Sequence, residues 1–515
     1  MENMKKYQIQ TNQFPQNLYI NKNIYKLMKY GKRKNKHFIL FACIFFMLTI
    51  SLFPIQSMGE KNTKDTNSII ENIQKNSQPV LYDLLIICPE VFSREVQPLI
   101  DHKIKTGIKT NLVTIEEVYD QIYWRGRDNA EKMKYFIKDA KEKWNISYVL
   151  LIGGRKDQSQ EETWWIPVRY SNLIRHYKGH EKHPEGDFLT DLYFADIYDQ
   201  QGKFSSWDDD NDGKFGEWPL DKGAVDTPDL YAEISVGRLP CRNINEVKNI
   251  VNKIIRYETG KADESWFKKI VVIAGDTYPE KTEYIDGEVH TQQAIDIMED
   301  FQSIKIWSSL GNLHWFYMIR EINKGCGFVF FSGHGGANSW ATHPPYDIDN
   351  WIGDFKLKHM NFLHNKNKLP VCLSASGCFN NMFNVSISES FLVYGSLLNL
   401  ISFQYAVPRC WGWNMVVKTN GGSIATIAST GYSYESSDID SKRGGCEWLD
   451  IHFFEEYQQN EDKILGDCWK NTVNRFLQNF SINWNDDAKY GDALIVKNLE
   501  QWLLIGDPSL RIGGY

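Results

Sequence analysis

The chain has 515 residues, 42% of them apolar and 24% charged, with a formal net charge of −7. That length and balance suit two or three globular domains and exclude a disordered or fibrous polypeptide, and with no dense basic domain nucleic acid is not an expected partner. Nine cysteines without a CxxC pair or regular metal spacing exclude a small disulfide scaffold and argue against zinc fingers.

Near the N-terminus, Lys32-Arg-Lys-Asn-Lys36 precedes an apolar run from Phe38 to Phe53 that only Thr49 and Ser51 interrupt, and Pro54 and Ser57-Met-Gly59 follow. A basic run, an apolar core and a small-residue exit read as a secretory signal or an N-terminal anchor, short for a spanning helix. The rest of the chain is then expected outside the cytoplasm, with membrane contact through this segment alone. Residues 1–59 are assigned to it, and the polar stretch 60–79 to a linker or short propeptide.

The folded part opens with the strand Leu81 to Pro89, a helix over Arg94 to Lys105, and a strand over Thr110 to Ile115. Met133, Phe136, Ile137, Ala140 and Trp144 recur at helical spacing, and Tyr148 to Ile152 is a strand closed by Gly153-Gly154. Apolar strands alternating with amphipathic helices predict an α/β fold with parallel sheets sandwiched between covering helices. From Trp164 to Leu239 the pattern loosens into an aromatic, acidic region. A helix returns over Glu246 to Glu258, and a second unit opens at the strand Lys269 to Ala274, with a boundary near 260: a first α/β subdomain over 80–260 and a catalytic one over 261–515.

Two later strands carry the chemistry. Phe328-Val-Phe-Phe331 ends in Ser332-Gly-His334-Gly-Gly336, and Leu369 to Ser374 ends in Ala375-Ser-Gly-Cys378-Phe-Asn-Asn381. Loops leaving the carboxyl ends of neighbouring parallel strands form sites, so His334 and Cys378 are expected to meet. A thiol needs a nearby base to act as a nucleophile, and His334 supplies one. Backbone N–H groups around Gly377 and Phe379, with Gly335 opposite, are candidates to receive an oxyanion. Cys372, inside the apolar run, reads as an inert core residue.

Earlier in the chain, Asp208, Asp210 and Asp212 alternate before Gly213, the opening of a calcium loop, with Glu217 as a further oxygen donor and Pro219 where an EF-hand has glutamate. The expected role of the ion is structural.

Taken together, these motifs resemble the gingipain-like cysteine peptidases of the caspase-like clan. The shared pieces, in order, are Asp191-Leu-Tyr-Phe-Ala-Asp196, the acidic loop ending Phe215-Gly-Glu217, Val236-Gly-Arg-Leu-Pro240, Ser-Gly-His334-Gly, Ser-Gly-Cys378, Ser388-Glu389, Gly421-Gly422 and Gly506-Asp507-Pro508. The resemblance implies a caspase-like fold of two subdomains, an extracytoplasmic endopeptidase acting on protein or peptide substrates, and Cys378 and His334 as its carriers. It also implies an acidic residue orienting the histidine, with Asp196 or Asp191 the candidates. Two departures touch the substrate pocket: Phe379-Asn-Asn-Met-Phe383 replaces a glycine-containing turn, and extra residues over Tyr394 to Lys418 place Trp411 and Trp413 at the pocket. The alternative reading is a catalytically inactive, calcium-stabilised binding or adhesion module of the same fold, with Tyr405, Trp411 and Trp413 as a ligand surface. A metal-dependent hydrolase built on His334 and His343 is disfavoured, because no second ligand cluster stands near them.

Overall fold

Among the described residues, ten strands lie side by side in one sheet, and two small sheets stand apart from it: one of three strands (His334–Gly335, Ser339–Thr342 and Ile352–Lys356) and one of two (Tyr170–Ser171 and Phe188–Leu189). The structure, a computed structural model, describes residues 81–515 apart from 123, 160, 175–186, 261, 281–283, 389–405, 437–443 and 489–490. The apolar run Phe38 to Phe53, most of the segment expected to be helical after Ser388, and Tyr405 lie outside the described residues. Among those described, no helix is long and apolar enough to cross a membrane.

In chain order the sheet strands are β1 (Leu84–Cys88), β2 (Thr110–Thr114), β3 (Tyr148–Ile152), β4 (Ser235–Leu239), β5 (Lys269–Ala274), β6 (Gln302–Trp307), β7 (Phe328–Ser332), β8 (Val371–Ala375), β9 (Ala425–Ser429) and β10 (Trp502–Ile505). Their spatial order is β2-β1-β3-β4-β10-β9-β8-β7-β5-β6. All neighbours pair in parallel except β9 and β10, where Thr426 faces Ile505 in an antiparallel register. The sheet is therefore two parallel blocks of opposite direction, and their carboxyl ends lie on opposite edges. The strands before residue 260 form one block, completed by β10 from the far end of the chain. The described residues form one compact unit, and strands from both sides of position 260 share the one ten-stranded sheet.

Both faces of the sheet are covered, which is why its strands read as continuous apolar runs. Alternate residues of one strand enter different cores: Val329, Phe331 and Cys372 join one cluster, and Phe328, Phe330 and Leu373 the other. The covering helices include α1 (Glu90–Lys105), α2 (Asn129–Trp144), α3 (Ile244–Thr259), α4 (Asp286–Ile297), α5 (Trp315–Lys324), α6 (Trp411–Val417) and α7 (Cys446–Gln459). Side chains fix several helix starts: Asp128 accepts from the N–H of Glu131 at α2, and Asn243 from that of Glu246 at α3.

Within the extra residues over Tyr394 to Lys418, Trp411 to Val417 form helix α6. Trp411 is fully buried against Phe331 and Phe355 and donates its indole N–H to the Phe355 carbonyl at 3.0 Å. Trp413 is 1% exposed. Neither tryptophan lines a substrate pocket. Their size and apolar surface are spent on seating α6 against the sheet.

Candidate active site

β7 and β8 are adjacent and parallel, with Ala375 opposite Ser332, so the loops that follow them leave the same edge. They touch. A Cβ on Gly335 would come within 2.5 Å of the Gly377 carbonyl carbon and 2.7 Å of the Cys378 oxygen. Only glycine lets the residue after His334 lie against the peptide that leads into Cys378. Gly377 is equally confined, since a Cβ there would meet Ser374 Oγ at 2.2 Å.

The backbone around Cys378 is strained. Ser376 (φ 56°) and Phe379 (φ 59°) both occupy the left-handed region, at a cost on the order of 1–3 kcal/mol each. Asn380, fully buried, holds the turn: it accepts from Ser374 Oγ at 2.8 Å and donates to the carbonyls of Gly336 (2.9 Å) and Ser339 (3.1 Å). One side chain thus ties the cysteine loop to the histidine loop. Asn381, also buried, donates to the carbonyls of Thr426, Ala428 and Leu503 and fastens the same turn to β9 and β10.

Cys378 is half-buried, and its sulfur accepts from the backbone N–H and the hydroxyl of Ser433 at 3.4 and 3.3 Å. Two donors of one residue thus converge on the sulfur. Ser433 follows β9, so a third strand end completes the site. Cys372, by contrast, is sealed inside β8, and burial pushes its thiol well above the ordinary range. Behind the site, the hydroxyl of Ser376 donates to Glu435, a buried carboxylate 4.0 Å from His290 Nδ1.

His334 is half-buried, and its Nε2 lies 2.8 Å from the Thr277 carbonyl. A carbonyl can only accept, so this contact assigns the proton to Nε2 and leaves the lone pair on Nδ1. Burial lowers the pKa of the imidazole below its usual value; the Thr277 contact opposes that shift and the neighbouring His343 adds to it. The shift favours the neutral ring, whose lone pair then lies on Nδ1. Tyr278, Trp351 and His343 surround it, with ring centroids 6.0, 5.1 and 5.5 Å away. The Thr277 peptide is itself held by Asp286, buried at the start of α4, whose carboxylate accepts the N–H groups of Thr277 (2.7 Å), Gly287 (2.8 Å) and Tyr278 (3.1 Å).

Asp196 does not occupy the orienting position expected of it. Its carboxylate is fully buried in the first block, accepts the indole N–H of Trp207 at 2.7 Å and feels Lys134. Burial raises its pKa to about 7. Asp191 is also engaged elsewhere, in a two-pronged pair with Arg238 at 2.7 Å. The third element at His334 is a main-chain carbonyl, which any residue type can supply and which no side-chain motif announces. Phe379 is likewise unsuited to receive an oxyanion, because its N–H is committed to the Gly431 carbonyl at 3.0 Å. Gly335 and Gly377 remain at the contact between the two loops. Ser433, Thr277, Asp286 and the bridging role of Asn380 carried no sequence signal of their own.

In the acidic loop, Asp208, Asp210 and Asp212 each bring a carboxylate oxygen within 4.8 Å of the others. Glu217 is outside this group; its side chain takes Lys214 at 3.1 Å and its N–H goes to Asp226. Asp208 also pairs with Arg127, and Lys214 with Asp212. Three hard oxygen donors on one short loop fit a calcium ion by their chemistry.

An open α/β sheet with a thiol and an imidazole on adjacent strand ends has the arrangement of a thiol hydrolase with a caspase-like fold. The chain belongs to peptidase family C25, whose family model matches residues 77–513. It is similar to gingipain R2 of Porphyromonas gingivalis, 20% identical over 434 residues that cover 83% of this chain and 46% of the relative. Gingipain R1 of the same organism is 19% identical over 489 residues, 91% of this chain and 39% of the relative. The chain therefore spans less than half the length of these curated relatives. Among solved structures, that of the Arg-specific cysteine proteinase gingipain R superposes with a TM-score of 0.55 at 18% identity, covering 85% of this chain and 79% of that one. A complex of the pro- and mature domains of Porphyromonas gingivalis RgpB gives 0.53 at 17%, covering 84% and 79%. At these identities the likeness to solved structures is one of fold.

Proposed function

We propose that this chain is a cysteine endopeptidase acting outside the cytoplasm on protein or peptide substrates, with Cys378 as nucleophile and His334 as proton carrier. The observation that supports this most directly is the packing of Gly335 on the Gly377–Cys378 peptide at the ends of two neighbouring parallel strands. In the acylation step Cys378 Sγ forms a bond to the scissile carbonyl carbon while its proton passes to Nδ1 of His334. Backbone N–H groups of Gly335 and Gly377 receive the oxyanion. The imidazolium then gives the proton to the leaving nitrogen as the C–N bond breaks, leaving a thioester. Water attacks that thioester with His334 again as base, and the thiol is restored with release of the carboxylic acid product.

The extracytoplasmic placement is supported by the basic run Lys32 to Lys36 and the apolar run Phe38 to Phe53. A calcium ion held by Asp208, Asp210 and Asp212 would brace the acidic loop within the 164–239 region, where Asp208 also pairs with Arg127, with no part in the chemistry.

The test is labelling of the full chain with substoichiometric iodoacetamide, with the modified residue located by mass spectrometry, alongside cleavage of a denatured protein substrate. Selective carboxymethylation at Cys378, lost or slowed in His334→Ala, with cleavage abolished in Cys378→Ala, is the expected result. Indiscriminate labelling with no cleavage by the unaltered chain overturns the proposal and leaves a binding module of this fold.

A further inference from the structure

The strip beside the catalytic histidine has an unusual distribution of side chains. Within six residues, Tyr346, Ile348 and Trp351 are 53%, 53% and 58% exposed. They stand on one loop, residues 344–351, which leaves His343. Trp351 packs on His343 with ring centroids 4.0 Å apart and reaches His334 at 5.1 Å.

The loop is braced by its polar groups. Asp276 exchanges backbone hydrogen bonds with His343 and accepts the N–H of Tyr346 at 2.8 Å. His343 Nδ1 donates to the Asn350 carbonyl at 2.7 Å, and Asp347 takes the side-chain amide of Asn350 at 2.7 Å and the N–H of Asp349 at 3.1 Å. These hydrogen bonds brace the loop while three large apolar side chains face water. Keeping that surface wet costs free energy that contact with an apolar group would recover, and a braced loop loses little freedom when it is covered.

What covers it follows from the chemistry. The group that protonates the leaving nitrogen must reach it directly. A surface built on the flank of His334 therefore faces the half of the substrate that departs. We infer that residues 344–351 form the subsite for the residue following the scissile bond, and that Trp351 and Ile348 select a large apolar or aromatic side chain there. The inference rests on the cysteine-peptidase reading and adds a specificity to it. Asp347 and Asp349 at the rim of the loop make an acidic residue at that position unfavourable.

The experiment uses the full chain with an equimolar library of unmodified peptides, reading by mass spectrometry the residue that follows each cleaved bond. The best substrate is then made with Phe, Leu, Gly or Asp at that position, and its acyl half as a methyl ester, which has no following residue. We expect kcat/KM for Phe and Leu to exceed Gly by at least about tenfold, the worth of a few buried methylenes, and Asp to be cleaved more slowly still. Ile348→Ala should lower the Phe-to-Gly ratio while leaving ester hydrolysis within about twofold of the unaltered chain, and Trp351→Ala/Ile348→Ala, in which the ring beside His334 is also gone, should compress that ratio to within about twofold. Equal rates for Phe, Gly and Asp overturn the inference, as does a Phe-to-Gly ratio that survives both variants, or a loss of ester hydrolysis in Ile348→Ala equal to its loss on peptides. Failure of the unaltered chain on every peptide and on the ester removes the peptidase reading as well, so the two failures are told apart.

Discussion

His334 Nε2 donates to the carbonyl of Thr277 at 2.8 Å, so the orientation of the candidate base depends on a main-chain atom. That peptide depends in turn on Asp286, which accepts the Thr277 N–H at 2.7 Å. Substituting Asp286→Asn removes a charge and turns one acceptor into a donor where three N–H groups converge. Outer partners of a functional imidazole typically carry a factor of about 10–100 in activity. We expect kcat/KM to fall by that amount with KM little changed. The negative charge of Asp286 favours the imidazolium, so the acid limb of the pH profile should also move to lower pH. A purely structural defect would lower activity at every pH without moving the limb.

The pH profile of the unaltered protein follows from the same ring. Burial places the pKa of His334 below the ordinary value of 6.5, and the base must be neutral to accept the thiol proton. The activity should therefore rise with pH through a midpoint below 6.5 and be level at neutral pH. Measurement of kcat/KM between about pH 4 and 8 gives the midpoint directly; a midpoint above 6.5 would show a charged, thiolate-paired histidine instead.

What could be seen in the sequence is what local chemistry dictates. Buried parallel strands announce themselves as apolar runs, and Tyr148–Ile152 and Lys269–Ala274 have the predicted bounds. Glycines on both sides of His334 and one before Cys378 mark backbones that must approach closely, and the loops they belong to do touch. The third contact to His334 was hidden because a carbonyl leaves no trace in residue type. Asp196 attracted attention by its place in a shared motif, yet motif order carries no distance, and its carboxylate turns to Trp207. Trp411 and Trp413 looked available because aromatic residues suit both cores and grooves, and only packing decides between them. The one antiparallel pairing within the ten-stranded sheet, β9 with β10, depends on which partner the last strand finds, which no periodicity encodes.

Asp196→Asn separates structure from chemistry. The amide keeps an oxygen for the Trp207 indole and removes a charge that burial disfavours. A carboxyl whose folded pKa is raised from 3.8 to about 7 binds its proton more tightly folded than unfolded. Stability therefore falls as pH rises between those two values, by a ceiling on the order of 4 kcal/mol, and is level above them. The variant should match the parent near pH 4, be more stable near pH 8, and cleave at the parent rate. Thermal melts at the two pH values, with an activity assay, decide it; loss of activity in a folded variant would return Asp196 to the mechanism.

Calcium is the last term, and it is separable from the active site because Asp208, Asp210 and Asp212 lie on a loop of the first block. If the ion binds the folded chain alone, a concentration a hundredfold above its Kd adds about 2.7 kcal/mol to stability. Saturating calcium against a chelator should raise the melting temperature of the full chain while the labelling rate of Cys378 stays constant. Asp210→Asn and Asp212→Asn should each reduce that rise, since both remove an anionic oxygen from the cluster. Asp208 has a second duty as the partner of Arg127, so Asp208→Asn should lower the melting temperature even in chelator. A chelator-sensitive labelling rate would mean instead that the loop reaches the thiol.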